Sequence, residues 1–172
     1  MVGLSCPAVE NVDRRALRAM RTRAHSPALE RAMFALGKAG NHAAVWVAVN
    51  LLLALFDGGQ RESWLICAAL GPIAVGLNYA VKLVVRRPRP LLDGLPPLGG
   101  APSSLSFPSA HATASFAVAT AMTRVDALGA LAFGLAILLA LSRPYLGMHY
   151  PSDVLGGIAL GVVLGLLVPL SL

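Results

Sequence analysis

Residues 63–83 read Ser63-Trp64-Leu65-Ile66-Cys67-Ala68-Ala69-Leu70-Gly71-Pro72-Ile73-Ala74-Val75-Gly76-Leu77-Asn78-Tyr79-Ala80-Val81-Lys82-Leu83, and no side chain before Lys82 carries a charge. A helix of this length covers about 30 Å at 1.5 Å per residue, the thickness of a bilayer's hydrocarbon core. Working outward, four more apolar stretches lie near 41–56, 109–123, 127–142 and 154–171. Polar breaks separate them, among them Asp57-Gly58-Gly59-Gln60-Arg61-Glu62 and Thr123-Arg124-Val125-Asp126. The whole chain agrees: of 172 residues 56% are hydrophobic and 13% charged, about half the ~25% charged share of soluble domains. Disorder, collagen-like repeats, coiled coil and a disulfide framework are excluded. Cys6 and Cys67 cannot staple a fold, and Cys67 reads as a buried, inert thiol. A pI near 10.2 invites a nucleic-acid reading, but the basic residues neither form a stripe nor interleave with aromatics. The predicted fold is all-α: a polytopic membrane helix bundle of about five transmembrane helices, with an interfacial amphipathic segment at its N-terminus.

That segment, residues 1–40, carries too many charges for a signal peptide. Residues 13–24 are basic and weakly amphipathic, and 27–38 repeat Leu29, Met33 and Leu36 at helical spacing. One or two helices lying in the interface, or a solvated hairpin packed on the first span, fit equally. The division is therefore 1–40, the basic interfacial segment, and 41–172, the transmembrane domain. Five crossings put residues 1–40, the 84–108 loop and the 143–153 loop on one side, with 12 of the 14 Lys and Arg. Setting aside Lys82, Arg89 and Arg143 as candidates for chemistry leaves nine against two. The positive-inside rule places that side in the cytoplasm of a plasma-membrane protein.

The 84–108 loop holds Pro88, Pro90, Pro96, Pro97 and Pro102 with Gly94, Gly99 and Gly100, and a structureless connection this long is usually functional. Lys82 precedes it and Pro108-Ser109-Ala110-His111 follows. The fourth span ends in Ser142-Arg143, then His149 and Asp153. Each has an ordinary use: Lys82 can snorkel, the arginines can signal topology, His111 can be a capped histidine, and Asp153 can favour a helix N-terminus. Gathered on one membrane face they describe a phosphate site. Three cations match a phosphoryl group's non-bridging oxygens. Pro108 as a first helical residue would leave the N–H groups of Ser109, Ala110 and His111 open to an anion. Pro151 opens the fifth span, and Asp153, four residues after His149, can hold its imidazole N–H, as an orienting group holds a nucleophile. His111 is then free for acid–base work. No carboxylate cluster is available for metal ions.

These residues also carry a family pattern. Lys82 through Arg89-Pro90 resembles the K-x6-RP motif of the type-2 phosphatidic acid phosphatases, a lipid phosphate phosphatase superfamily that includes vanadium haloperoxidases. Pro108-Ser109-Ala110-His111 is similar to its PSGH motif, and Ser142-Arg143 through His149 to Asp153 to SR-x5-H-x3-D. The three run in family order over residues 82–153. The resemblance implies a metal-independent phosphatase with His149 as the nucleophile that becomes phosphohistidine, Asp153 orienting it, and His111 as general acid and then base. It implies phosphate binding by Lys82, Arg89, Ser109 and Arg143 with the Ala110 amide, and no cofactor. Ala110 replaces the family glycine, and the usual first of six spans is absent or reduced to the interfacial segment. Length, basic N-terminus and composition look most like small actinobacterial members. The implied substrate is a lipid phosphate in the bilayer, with a polyprenyl-linked headgroup such as decaprenylphosphoryl-5-phosphoribose, used in cell-wall arabinan synthesis. Undecaprenyl pyrophosphate and phosphatidylglycerophosphate are alternatives within the family. A non-catalytic lipid-binding or lipid-moving protein is an alternative of another class, but binding alone needs neither histidine. Gly157, Gly161 and Gly165 form a small-residue row suited to packing within the chain or to a homodimer.

Overall fold

The computed structural model describes residues 7–23, 25–100 and 104–170, so Cys6, Ala24 and Pro102 lie outside it. The described residues form seven α-helices: α1 (Pro7–Thr22), α2 (Pro27–Ala39), α3 (Ala44–Phe56), α4 (Arg61–Val85), α5 (Ala110–Val125), α6 (Ala132–Tyr145) and α7 (Pro151–Leu167). Short 3-10 turns precede α3 and α6 at Asn41–Ala43 and Ala127–Leu131. The five apolar stretches thus each become a helix within a few residues of the boundaries read from hydropathy. Among the described residues, α4 alone is by itself long and apolar enough to cross a bilayer; α2 joins Asn41–Phe56 across a 57° bend, and Gly129–Tyr145 and Pro151–Leu167 are shorter apolar helices.

Burial is arranged inside out. On α4 the large apolar Leu65, Ile73, Leu77 and Leu83 point outward, while Ser63, Cys67, Gly71, Ala74, Asn78 and Lys82 face the interior. Water would penalise such a surface; lipid does not, and small residues let helix backbones approach. Helix α5 sits at the centre, buried along Ala112–Met122 and built mainly of Ala, Thr and Ser. Against it lies α7, whose glycines match α5 carbonyls turn for turn. A Cβ on Gly157 would stand 2.7 Å from Ser109 O, on Gly161 2.5 Å from Thr113 O, and on Gly165 2.5 Å from Ala117 O. The glycine row therefore packs within the chain, and the face offered to a second copy in the dimer expectation is already covered.

At one end of the bundle, Asp57 organises the α3–α4 turn by accepting from Gln60 N (3.2 Å) and Trp64 Nε1 (2.9 Å). There Arg124 also satisfies the end of α7, donating to Gly165, Leu166 and Val168 carbonyls at 2.8–3.1 Å. The two N-terminal helices pack at the other end, beside the 86–108 loop. Ser26 caps α2 by accepting from Leu29 N, with Pro27 next. Helix α1 begins at Pro7, earlier than its basic run suggests, and buries Leu17 completely. Its Arg21 donates to Pro96 O (2.8 Å) and Tyr145 O (3.3 Å).

Candidate active site

Six of the eight residues singled out by sequence line one cavity of about 280 Å³: Lys82, Arg89, Ala110, His111, Arg143 and His149. The remaining wall comes from the α2–α3 bend (Gly40, Asn41, His42), from Val75, Asn78 and Tyr79 of α4, and from Ser104. Ser109 and Asp153 stand behind it, both unexposed. Different elements deliver each group: α4 ends in Lys82, the loop carries Arg89, α5 opens at Ala110-His111, α6 ends in Arg143, and the short turn before α7 holds His149.

His149 is held between a cation and an anion. Arg89 Nη1 approaches its Nε2 at 3.1 Å; a guanidinium only donates, so Nε2 carries the lone pair and Nδ1 the proton. Nδ1 lies 3.6 Å from Asp153 Oδ2, an ion-pair distance longer than a hydrogen bond. Burial pushes the His149 ring down to about 4, with Asp153 opposing the shift and the Arg89 charge adding to it. A neutral imidazole with its lone pair toward a cation-lined cavity is the state a nucleophile needs.

The cations around the cavity are held by carbonyls, a hydroxyl and a sulfur. Lys82 Nζ donates to Leu105 O (2.6 Å) and Ser106 O (3.2 Å). Arg89 also donates to Ser104 O and Oγ (both 2.8 Å) and Met148 O (2.6 Å). Arg143 meets the Met148 sulfur, and its Nε is buried without a partner. Ser109 Oγ is likewise buried and unpartnered. His111 Nε2 lies 2.8 Å from Gly37 O, and α2 presses so close that a Cβ on Gly40 would come within 2.6 Å of the ring.

One expectation needs correcting. Pro108 does not start α5; Ser109 is its N-cap and the helix begins at Ala110. The Ser109 N–H is not open to an anion, because it donates to Asp153 O at 2.9 Å. The reason is the close α5–α7 packing, which uses this amide to join the two helix starts.

The sequence reading also missed the shell around Asp153. Its Oδ1 accepts from Arg87 Nη1 (2.8 Å), and Oδ2 from Tyr150 N (2.8 Å) and the Ser106 hydroxyl. Arg87 continues to Asp13 of α1 at 2.7 Å. By sequence alone Arg87 reads as a topology signal. The single acid within the basic run 13–24 was the one available hint of Asp13.

Comparisons with known proteins identify the family. Residues 62–172 match the model of the PAP2 superfamily. The chain is 41% identical to decaprenylphosphoryl-5-phosphoribose phosphatase of Mycobacterium tuberculosis over 129 residues, covering 75% of this chain and 72% of that one. It is 33% identical to the undecaprenyl-diphosphatase BcrC of Bacillus subtilis, over 69% of this chain and 63% of the other. Among solved structures, the PAP2-type phosphatidylglycerolphosphate phosphatase of Bacillus subtilis superposes with a TM-score of 0.76 at 26% identity, over 96% and 86% of the two chains. With the match covering more than half of the chain and reaching beyond Lys82 and Asp153 on both sides, the chain belongs to the PAP2 superfamily, as a lipid phosphatase.

Proposed function

We propose that this protein removes the phosphomonoester from a polyprenyl-linked headgroup, decaprenylphosphoryl-5-phosphoribose or a close analogue, through a phosphohistidine intermediate. The observation that carries the reading is the lone pair of His149 Nε2, facing one cavity with Lys82, Arg89, Arg143 and His111. In the first step Nε2 attacks phosphorus and the ester P–O bond breaks. The leaving oxygen takes a proton from His111, whose ring α2 holds through Gly37 O. Lys82, Arg89, Arg143 and the Ser109 hydroxyl hold the non-bridging oxygens as charge builds. His111 then takes a proton from water, which attacks phosphorus; the P–N bond breaks and inorganic phosphate leaves. Asp153 keeps the Nδ1 proton in place throughout.

The metal-independent form of this reading rests on the donor set: among the described residues no three His, Cys, Asp or Glu side chains converge, and cations take the position facing the phosphate. The lipid part of the substrate draws on the 41% identity to the mycobacterial enzyme. Sidedness draws on charge. Arg21 and Arg87 prove to be buried or paired within the fold, so the nine topology cations of the site's side fall to seven, still against Arg61 and Arg124. The active site is accordingly assigned to the cytoplasmic face of a multi-pass protein. A site there reaches lipids phosphorylated from cytoplasmic precursors.

The test is phosphate release by purified protein in detergent with EDTA, from polyprenylphosphoryl-5-phosphoribose, undecaprenyl pyrophosphate and phosphatidylglycerophosphate. Highest kcat/KM on the first substrate supports the reading. Preference for the pyrophosphate would move the protein to the diphosphatase group. Turnover of none of them would favour a lipid-binding role.

A further inference from the structure

The shell behind Asp153 extends beyond the family's three motifs and reaches a helix that lies outside them. Arg87 is 12% exposed and sits between two carboxylates, Asp153 at 0% and Asp13 at 5%. Its Nη1 bonds Asp153 Oδ1 at 2.8 Å and Ser152 Oγ at 2.7 Å; its Nη2 bonds Asp13 Oδ2 at 2.7 Å. The guanidinium also lies over the Tyr150 ring, 4.3 Å from the centroid. Asp13 in turn accepts from Ser152 N at 3.0 Å and from the Ser152 hydroxyl. One α1 carboxylate therefore fixes both the cation that holds Asp153 and the backbone of the residue before it.

We propose that Asp13 and Arg87 are positioning residues for the carboxylate that orients the nucleophile, so that helix α1 is a working part of the active site. The physical case is one of competition. Asp153 must leave an oxygen for His149 Nδ1 while buried, and Arg87 occupies the other oxygen so that the carboxylate cannot rotate. Arg87 alone would draw Asp153 away from the histidine and weaken its negative field. Asp13 divides that cation between two anions and anchors it at a buried site, where pairs are screened little. Removing Asp13 leaves Arg87 with Asp153 as its one carboxylate partner.

The inference rests on the reading of His149 as nucleophile, and three variants separate the two. Each is assayed for kcat, vanadate inhibition and the acid limb of kcat/KM. His149→Ala tests the reading; activity near wild type there removes that reading whatever the others do. Asp13→Asn and Arg87→Gln test the inference, with Arg87→Lys as a milder change should Arg87→Gln fail to fold. Asp13→Asn is expected to lower kcat roughly 10- to 100-fold, the rate equivalent of one charge-assisted hydrogen bond. Vanadate inhibition stays unchanged, since Lys82, Arg89 and Arg143 are untouched.

The charged groups facing His149 are Asp153 from α7, Lys82 from α4, Arg143 from α6, His111 from α5 and Arg89 from the loop, all kept in these variants. Losing the Arg87 cation favours the imidazolium, so the acid limb moves to higher pH in Arg87→Gln. Losing the Asp13 anion disfavours it, so the limb moves to lower pH in Asp13→Asn. Opposite displacements are what a role through the Asp153–His149 pair requires. Wild-type kcat in Asp13→Asn overturns the proposal. So does a fall in kcat accompanied by equal loss of vanadate binding and no displacement of the limb, which would mark the pair as structural only.

Discussion

Arginines close both ends of this bundle, and they do so in opposite ways. At one end Arg124 Nη1 donates to backbone, to the Gly165 and Leu166 carbonyls of α7 and to Val168 O just past its end. At the other, Arg143 keeps a buried Nε with no partner and leans on a sulfur, while Arg89 touches the lone pair of His149. A buried donor left unmatched costs about 1–3 kcal/mol, so the second arrangement is a poor way to hold a fold together. It is a good way to meet an oxyanion, whose charge-assisted hydrogen bonds replace weak contacts. Between Arg124 and Arg143 the difference lies in what the guanidinium meets: backbone carbonyls in one case, a sulfur and the cavity in the other.

The largest effect belongs to the group between these cations. His149→Ala should lower kcat by several orders of magnitude, as loss of a covalent nucleophile does, with the melting temperature in detergent nearly unchanged. Next, Arg143→Ala should cost roughly 10²–10³-fold in kcat, the magnitude seen when one oxyanion donor is removed. Arg124→Ala should do the reverse: it leaves the carbonyls that end α7 unmatched and lowers stability by about 1–3 kcal/mol, while activity per folded molecule stays level. Equal activity losses in the two arginine variants would break the comparison. Gly161→Val sharpens it from the packing side. Its side chain would meet Thr113 O and Ala117 N, so a loss of about 1–3 kcal/mol is expected from overpacking, read as a lower melting temperature.

The smallest effect is in pH. A protonated His149 cannot attack, and its pKa is lowered to about 4 by burial. Protonation therefore sets in only as pH falls toward 4, and the kcat/KM limb due to His149 should lie near there. A limb due to His149 at its ordinary value, near 6.5, would mean that water reaches the imidazole and that the cavity is not closed around it.

Much of this was legible beforehand, because the signals are local. Residues 63–83 announce a helix by hydropathy alone, and Lys82, His111 and His149 announce chemistry because they sit at the ends of apolar runs. What was not legible depends on distant partners. Asp13 meets Ser152 across 139 positions, and apart from its being the one acid of the basic run 13–24, it reads as a charge on a solvated helix. Arg87 looked like its neighbour Arg86, yet Arg86 is tied to Leu83 O within its own turn while Arg87 is paired with carboxylates of two other helices. The α5 start was misplaced by two residues because Pro108 is a good helix opener, and only tertiary packing gives the Ser109 amide to Asp153. The glycine row allowed two uses, and the α5 carbonyls opposite it decide between them.

The covalent intermediate at His149 is the central claim, and it can be observed directly. Wild-type protein is mixed with substrate carrying radiolabelled phosphate, quenched in alkali, which spares a phosphoramidate, and digested for mapping. Label on the peptide containing His149, lost on mild acid treatment and absent from His149→Ala, is the expected result. Steady turnover with no alkali-stable label on the protein, or label mapping to His111 instead, would contradict it.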